Sequence, residues 1–177
     1  MKNSIYILLI FVVFGCTKIQ PRRPINPNPS TTIFAETAKE FRALNQIEEN
    51  KILDQIKKDT TNHYIQSSQG FWYTYVTKVN DSLPNPKKGD EVILSYNIKD
   101  LNDSILYSTE ELGLKKYKVD EEDFISGLQK GIKLMKVGET ITFVLPSYSA
   151  FGISGDGNKI GINKSIKSTV TLIKINK

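Results

Sequence analysis

The sequence predicts an α+β protein in which a small antiparallel β-sheet with one short internal helix follows a separate, longer helix. Three observations carry that prediction. Apolar residues recur every three or four positions from Phe34 to about Asp59, and from Phe71 onward the period changes to two. Only one helical segment, from Ser126 to about Met135, interrupts the extended runs before the last pair of strands, which is the layout of an α+β domain.

The first element is a leader. Lys2 supplies a positive start, and Ile5 to Phe14 is a nearly unbroken apolar run. A membrane-spanning helix needs about 20 apolar residues, so residues 1–15 read instead as a secretory signal. The run ends at Val13-Phe14-Gly15-Cys16, which resembles a lipobox, the site where bacterial lipoproteins are cut and acylated. Lipidation is therefore expected at Cys16, in preference to a plain signal that leaves a free thiol. Cys16 is also the only cysteine in the chain, which excludes an internal disulfide. A lipid anchor places the domain at the cell envelope, facing the periplasm. Thr17, standing where an acidic retention residue would sit, points to the outer membrane.

The formal charge is +5, and removing the signal takes away Lys2 to leave about +4. Lysines are dispersed, with no nucleic-acid motif among them, so a solvated surface is expected and a nucleic-acid partner is not. Residues 16–33 form a linker after the lipidated cysteine, with Pro21, Pro24, Pro27 and Pro29 and little to bury. Extended at about 3.1 Å per residue, Thr17 to Thr32 would reach roughly 50 Å from the lipid.

Residues 34–62 hold the amphipathic helix, with Phe34, Ala38, Phe41, Leu44, Ile47, Ile52, Leu53 and Ile56 on its stripe. Such a stripe must rest on something: the following domain, a second copy, or a partner. His63, the lone histidine, has no Cys, His or clustered acid at ligand spacing and is expected to be structural or solvent-facing.

Residues 70–177 read as one domain. Phe71 to Val76 is aromatic and β-branched, a strand signal, and Pro84, Pro86 and Gly89 close the segment. Glu91 to Ile98 is a second strand, Asp100 to Asp103 a turn, Ser104 to Ser108 a short strand, and Tyr117 to Val119 another extended piece. Ser126 is placed to cap the short helix, with Leu128, Ile132 and Met135 facing inward. Thr140 to Leu145 forms a strand and Ile166 to Ile175 the closing one. Between them, Pro146 to Asn163 carries Gly152, Gly155, Gly157 and Gly161, a loop long enough to suggest function.

These parts, in this order, resemble the FKBP-type prolyl isomerases. Phe124-Ile125-Ser126-Gly127-Leu128-Gln129-Lys130-Gly131, followed by Met135-Lys136-Val137-Gly138, looks like the family's "VI-x-G-W-x-x-G" run and its "M-x-x-G". Pro146 to Gly152 resembles "P-x-x-x-A-Y-G", Gly89 to Tyr96 resembles "G-x-x-V-x-V-x-Y", and Leu106-Tyr107-Ser108-Thr109 stands where the family has "F-D-S-S". The resemblance covers about Phe71 to Lys177. With its lipobox and helical start, the layout is also similar to gliding-motility-associated FKBP lipoproteins.

The resemblance implies a twisted antiparallel sheet wrapped on a short helix, with proline bound between them and no cofactor or metal. It places Tyr96, Tyr107, Phe124, Ile125, Leu128 and Phe151 at the catalytic pocket and Leu106, Tyr117 and Ile160 at its substrate-binding margin. Ile125 would offer a backbone N–H to the substrate carbonyl, Tyr96 and Phe124 would be walls, and Phe151 would lie beside the twisting bond. Leu128 replaces the family's floor Trp, Tyr107 replaces its Asp and so removes a buried carboxylate acceptor, and Phe151 lacks the flap Tyr hydroxyl. Ile160-Gly161-Ile162, in place of "I-P-P", implies a looser lip.

The bland readings stand beside these. Tyr96, Phe124, Ile125 and Leu128 are ordinary core residues for a small β protein, as is Phe143. Asp120 to Asp123 lacks the alternation and glycine turn of a calcium loop, and one histidine leaves no Ser-His-Asp triad. Three functions stay in competition. The first is an isomerase that assists exported proteins and binds proline-containing polypeptide segments. The second is a catalytically weak binding module or chaperone, and the third is a structural lipoprotein of an envelope machinery docking through its helix.

Overall fold

The structure, a computed structural model, describes residues 31–79 and 82–177. The predicted signal, Cys16 and most of the linker lie outside the described residues. The chain divides into two units, Met1–Thr37 and Ala38–Lys177. Within the first, the described part is the opening of helix α1 (Thr31–Lys58). All side-chain contacts below belong to the second unit.

Strands β1 (Ile65–Ser67), β2 (Phe71–Thr77), β3 (Glu91–Tyr96), β4 (Ile98–Lys99), β5 (Ile105–Tyr107), β6 (Leu114–Lys118), β7 (Thr140–Leu145) and β8 (Ile166–Asn176) form one sheet. Its order is β1-β2-β7-β8-β3-β6, with β4 pairing both β5 and β8, and every pairing is antiparallel. Two short helices sit between strands, α2 (Thr109–Leu112) and α3 (Ser126–Ile132). The α+β expectation holds, with a twisted antiparallel sheet around α3.

Strand β8 shows why the sheet forms where it does. Ile166, Ser168, Val170 and Leu172 alternate inward and are buried, while Thr169 and Thr171 face out. There they meet Thr142 and Thr140 across the strands, hydroxyl to hydroxyl at 2.9 Å in both pairs. On the inner face the sheet closes over α3, whose Leu128 and Ile132 are fully buried with Met135 just beyond. Glycines permit the approach: a Cβ at Gly131 would stand 2.5 Å from the Phe143 ring, and one at Gly127 would stand 2.9 Å from the Ser149 carbonyl oxygen.

The outer face carries the end of α1. Ile52 is fully buried against Trp72 and Val144, with Leu53, Ile56, Tyr64 and Leu101 at the margin. The helix therefore docks on its own domain through its second half, one of the three resting places the stripe allowed. Phe41, Leu44 and Ile47, which precede that docked end on the helix, are about half exposed. Among the described residues, no helix is long and apolar enough to cross a membrane.

Several boundaries differ from expectation. The strand expected from Glu91 to Ile98 breaks at Asn97, which bonds β8 through its N–H, its carbonyl oxygen and its side chain. Helix α2 was not anticipated; Ser108 caps it by accepting the Glu111 N–H at 3.2 Å. Ser126 does not cap α3: the cap position is Ile125, and the Ser126 hydroxyl instead donates to the Ser149 carbonyl at 3.1 Å.

Candidate functional site

A cleft of about 460 Å³ opens where β3, β4, β5 and α2 meet the entrance of α3 and the long loop after β7. It gathers Tyr96, Tyr107, Phe124, Ile125 and Phe151 from the residues the sequence nominated. The walls are aromatic and braced. The Phe124 ring meets Tyr96 edge-on, with centroids 5.3 Å apart at 88°, and lies 5.5 Å from the Tyr117 ring. The Phe124 carbonyl accepts the Gln129 side-chain N–H at 2.9 Å, which ties the wall to α3. Burial pushes the Tyr96 hydroxyl pKa up.

Other nominated residues support the cleft from behind. Leu128 is fully buried in the main core and is not part of the cleft lining, so it is no exposed floor. Tyr117 is fully buried too, its hydroxyl accepting the Asp120 N–H at 3.1 Å. Ile160 is 2% exposed and packs in the core, while Gly161 and Ile162 after it are exposed. Leu106 is partly buried and packs against the same core.

The largest departure from the sequence reading concerns Tyr107. A carboxylate acceptor was expected to be lost at this position, yet one reaches the cleft from the opposite side. Asp156, on the loop, accepts a short hydrogen bond from the Tyr107 hydroxyl. It also accepts the Ile160 N–H at 2.8 Å and the Asn158 N–H at 2.9 Å. Burial alone would raise the Asp156 pKa, but these donors, Tyr107 first, hold it below the usual carboxylate value. The same bond, joined by burial, pushes the Tyr107 pKa up. Lys159 completes the clasp, bonding Glu111 at 2.6 and 2.9 Å and lying 4.5 Å over the Tyr107 ring. The hairpin geometry needs Gly155, at φ +66°, where a Cβ would fall 2.2 Å from the Ile160 carbonyl oxygen.

The stems of this loop are held by α1. One carboxylate, Glu48, accepts the Ser147 N–H at 2.6 Å and its hydroxyl at 2.8 Å, and accepts a short bond from the Ser165 hydroxyl. Glu49 accepts the Tyr148 hydroxyl at 2.8 Å. Beside this seam runs a larger groove of about 750 Å³ whose walls include Glu48, Lys51, Asp54 and Lys164. The convergence of aromatic rings singles out the smaller cleft.

The family model for FKBP-type peptidyl-prolyl cis-trans isomerases matches residues 84–173, half of the chain. The chain belongs to that family. Among relatives, the probable FKBP-type peptidyl-prolyl cis-trans isomerase FkpA of Neisseria meningitidis is 31% identical over 90 residues, which is 51% of this chain and 33% of the relative. The chain thus spans about a third of that curated relative's length. In fold, this FKBP-type chain is similar to a peptidyl-prolyl cis-trans isomerase from Pseudomonas syringae (TM-score 0.61, 21% identity, 77% of this chain and 96% of the other). It is also similar to FkpA from Escherichia coli (TM-score 0.61, 19% identity, 99% of this chain and 82% of the other).

Ile98, Leu112, Asp123, Ala150 and Asp156 line the FKBP-type cleft without having been nominated. Of these, Asp156 left a trace in the sequence, in the Asp156-Gly157-Asn158 turn signature. Its distance of 49 residues from Tyr107 hid the pairing.

Proposed function

We propose that this cleft binds X-Pro segments and accelerates their cis–trans rotation. The observation that carries this reading is the set of braced aromatic walls around a small cleft, with the Ile125 N–H at its edge and no bonding partner for it among the described residues. A peptide bond resists rotation by roughly 18–20 kcal/mol because the nitrogen lone pair is delocalised into the carbonyl. Water stabilises the charge-separated planar form, and an apolar wall does not. A cleft that fits the twisted amide better than either planar isomer lowers the barrier by about 1.4 kcal/mol for each tenfold in rate. Neither acid, base nor nucleophile is required. Ile125 donates to the carbonyl before proline, Phe124 and Tyr96 hold the ring, and Phe151 flanks the rotating bond.

The proposed client is an exported protein at the envelope, where slow X-Pro steps of tens to hundreds of seconds delay folding. A lipid on Cys16 would hold the domain there, in the outer membrane and facing the periplasm, in the layout of gliding-motility-associated lipoproteins. Phe41, Leu44 and Ile47 on α1 are the surface for a partner or second copy. A holding module with little turnover is the second reading, favoured by Leu128, which gives the site no aromatic floor. The test is NMR exchange on a panel of X-Pro peptides with the chain and its Phe124→Ala variant. Acceleration abolished by the variant is the expected result, and none from the folded chain overturns the isomerase.

A further inference from the structure

The cleft is mostly apolar, yet two charged residues line it and both are acidic. Asp123 comes from the entrance of α3 and Asp156 from the loop. No lysine or arginine is part of the lining. The nearby cations are otherwise engaged: Lys159 is paired with Glu111, and the Lys115 ammonium lies 5.7 Å from the centroid of the Phe124 ring. Asp156 spends its oxygens on Tyr107, Asn158 and Ile160 but keeps its negative charge. Asp123 is exposed and makes no hydrogen bond or ion pair with any described residue, so its carboxylate is free to meet a ligand.

We propose that the cleft selects proline segments carrying a lysine or arginine within one residue of the proline, with Asp123 as the specificity-determining residue and Asp156 adding to the field. The inference rests on the isomerase reading for turnover, but the charge preference is a property of binding. A long cationic side chain suits the site physically. Its methylenes pack along Phe124 and Phe151 while its charged head stays at the wet rim. The chain's overall +5 charge opposes this only at long range, where salt screens it beyond about 8–10 Å; the contact with a carboxylate at the rim is much closer. Charge at the rim also governs the rate of encounter, so the preference is sensitive to salt.

The test uses the full chain and matched tetrapeptides with Lys, Leu or Glu on either side of the proline. Turnover is read by NMR exchange and affinity by the shift of the Ile125 amide. The order Lys, then Leu, then Glu is expected, with a Lys-to-Leu ratio of about two- to fivefold at low salt, the scale of a rim ion pair. That ratio should shrink towards unity in high salt, and Asp123→Asn should lower it about threefold. Equal affinity for the three peptides, or a Leu preference indifferent to salt, overturns the proposal. If no peptide turns over, the isomerase reading fails on its own, and the affinity ratio still decides the charge preference.

Discussion

The two faces of the sheet are closed by different means. On the inner face sixteen buried apolar residues, from Phe71 to Leu172, form one cluster around α3; on the outer face three do, Ile52, Trp72 and Val144, among the described residues. The outer face makes up the difference with carboxylates, Glu48 on Ser147 and Ser165 and Glu49 on Tyr148. Apolar area is non-directional and sets whether the domain folds. Hydrogen bonds to a charged group are directional and set where a segment sits. The inner face therefore makes the fold, and the outer face positions the loop that bears Phe151 and Asp156.

That comparison is broken most severely by Phe143→Ala. The ring is fully buried between Phe71 and α3, and such truncations cost about 3–5 kcal/mol. A fall in Tm of more than about 10 °C is expected by calorimetry. Ile52→Ala attacks the outer face and should cost about 2–4 kcal/mol. Trp72, the single tryptophan, is 4% exposed against it, so its fluorescence should shift to the red while the inner core persists. An unshifted spectrum would show that α1 does not dock in solution.

Glu48→Gln sharpens the comparison. One amide cannot accept three donors as a carboxylate does, and losing a bond to a charged group costs about 1.5–3 kcal/mol. Faster hydrogen exchange is expected at Gly152 and Asn163 in the loop, with β8 unchanged, and a larger effect on KM than on kcat. Uniformly faster exchange would make Glu48 a general stabiliser.

The smallest effect concerns the Tyr107–Asp156 bond. Because the Asp156 pKa is depressed, its stabilisation is present above the ordinary carboxylate value of 3.8 and is lost as pH falls through the lower folded value. Because the Tyr107 pKa is raised, its stabilisation is present below 10.0 and is lost as pH climbs through the higher folded value. Tyr107→Phe should remove the second dependence and weaken the first, as followed by thermal melts from pH 2 to 11. Superimposable profiles for the two proteins would discard the clasp.

Local pattern made much of this molecule legible. Alternation in Thr140 to Leu145 and in Ile166 to Leu172 named two strands, because period two places every second side chain on one face. The resemblance of the Phe124-Ile125 run and of Pro146 to Gly152 to family motifs implied a pocket there, and residues of both segments line the cleft. Strand β1 was missed, since Ile65-Gln66-Ser67 is three residues with no alternation to detect and pairs only because β2 lies beside it. Helix α2 was missed for the same reason of length.

By itself, the sequence determined most of the elements, the inner helix and, through its motifs, the resemblance to the family, since these depend on residue type and short spacing. Tertiary structure alone decided which part of α1 docks, that Leu128 is no part of the cleft lining and Ile160 is core, and that Glu48 holds residues 99 and 117 positions away. It also brought Asp156 to Tyr107, restoring to the cleft a carboxylate whose absence the motif had implied. Those contacts join residues far apart along the chain, and no local pattern records them. They exist because buried apolar area folds the sheet first, and polar groups then pair with whatever the fold has placed within about 3 Å.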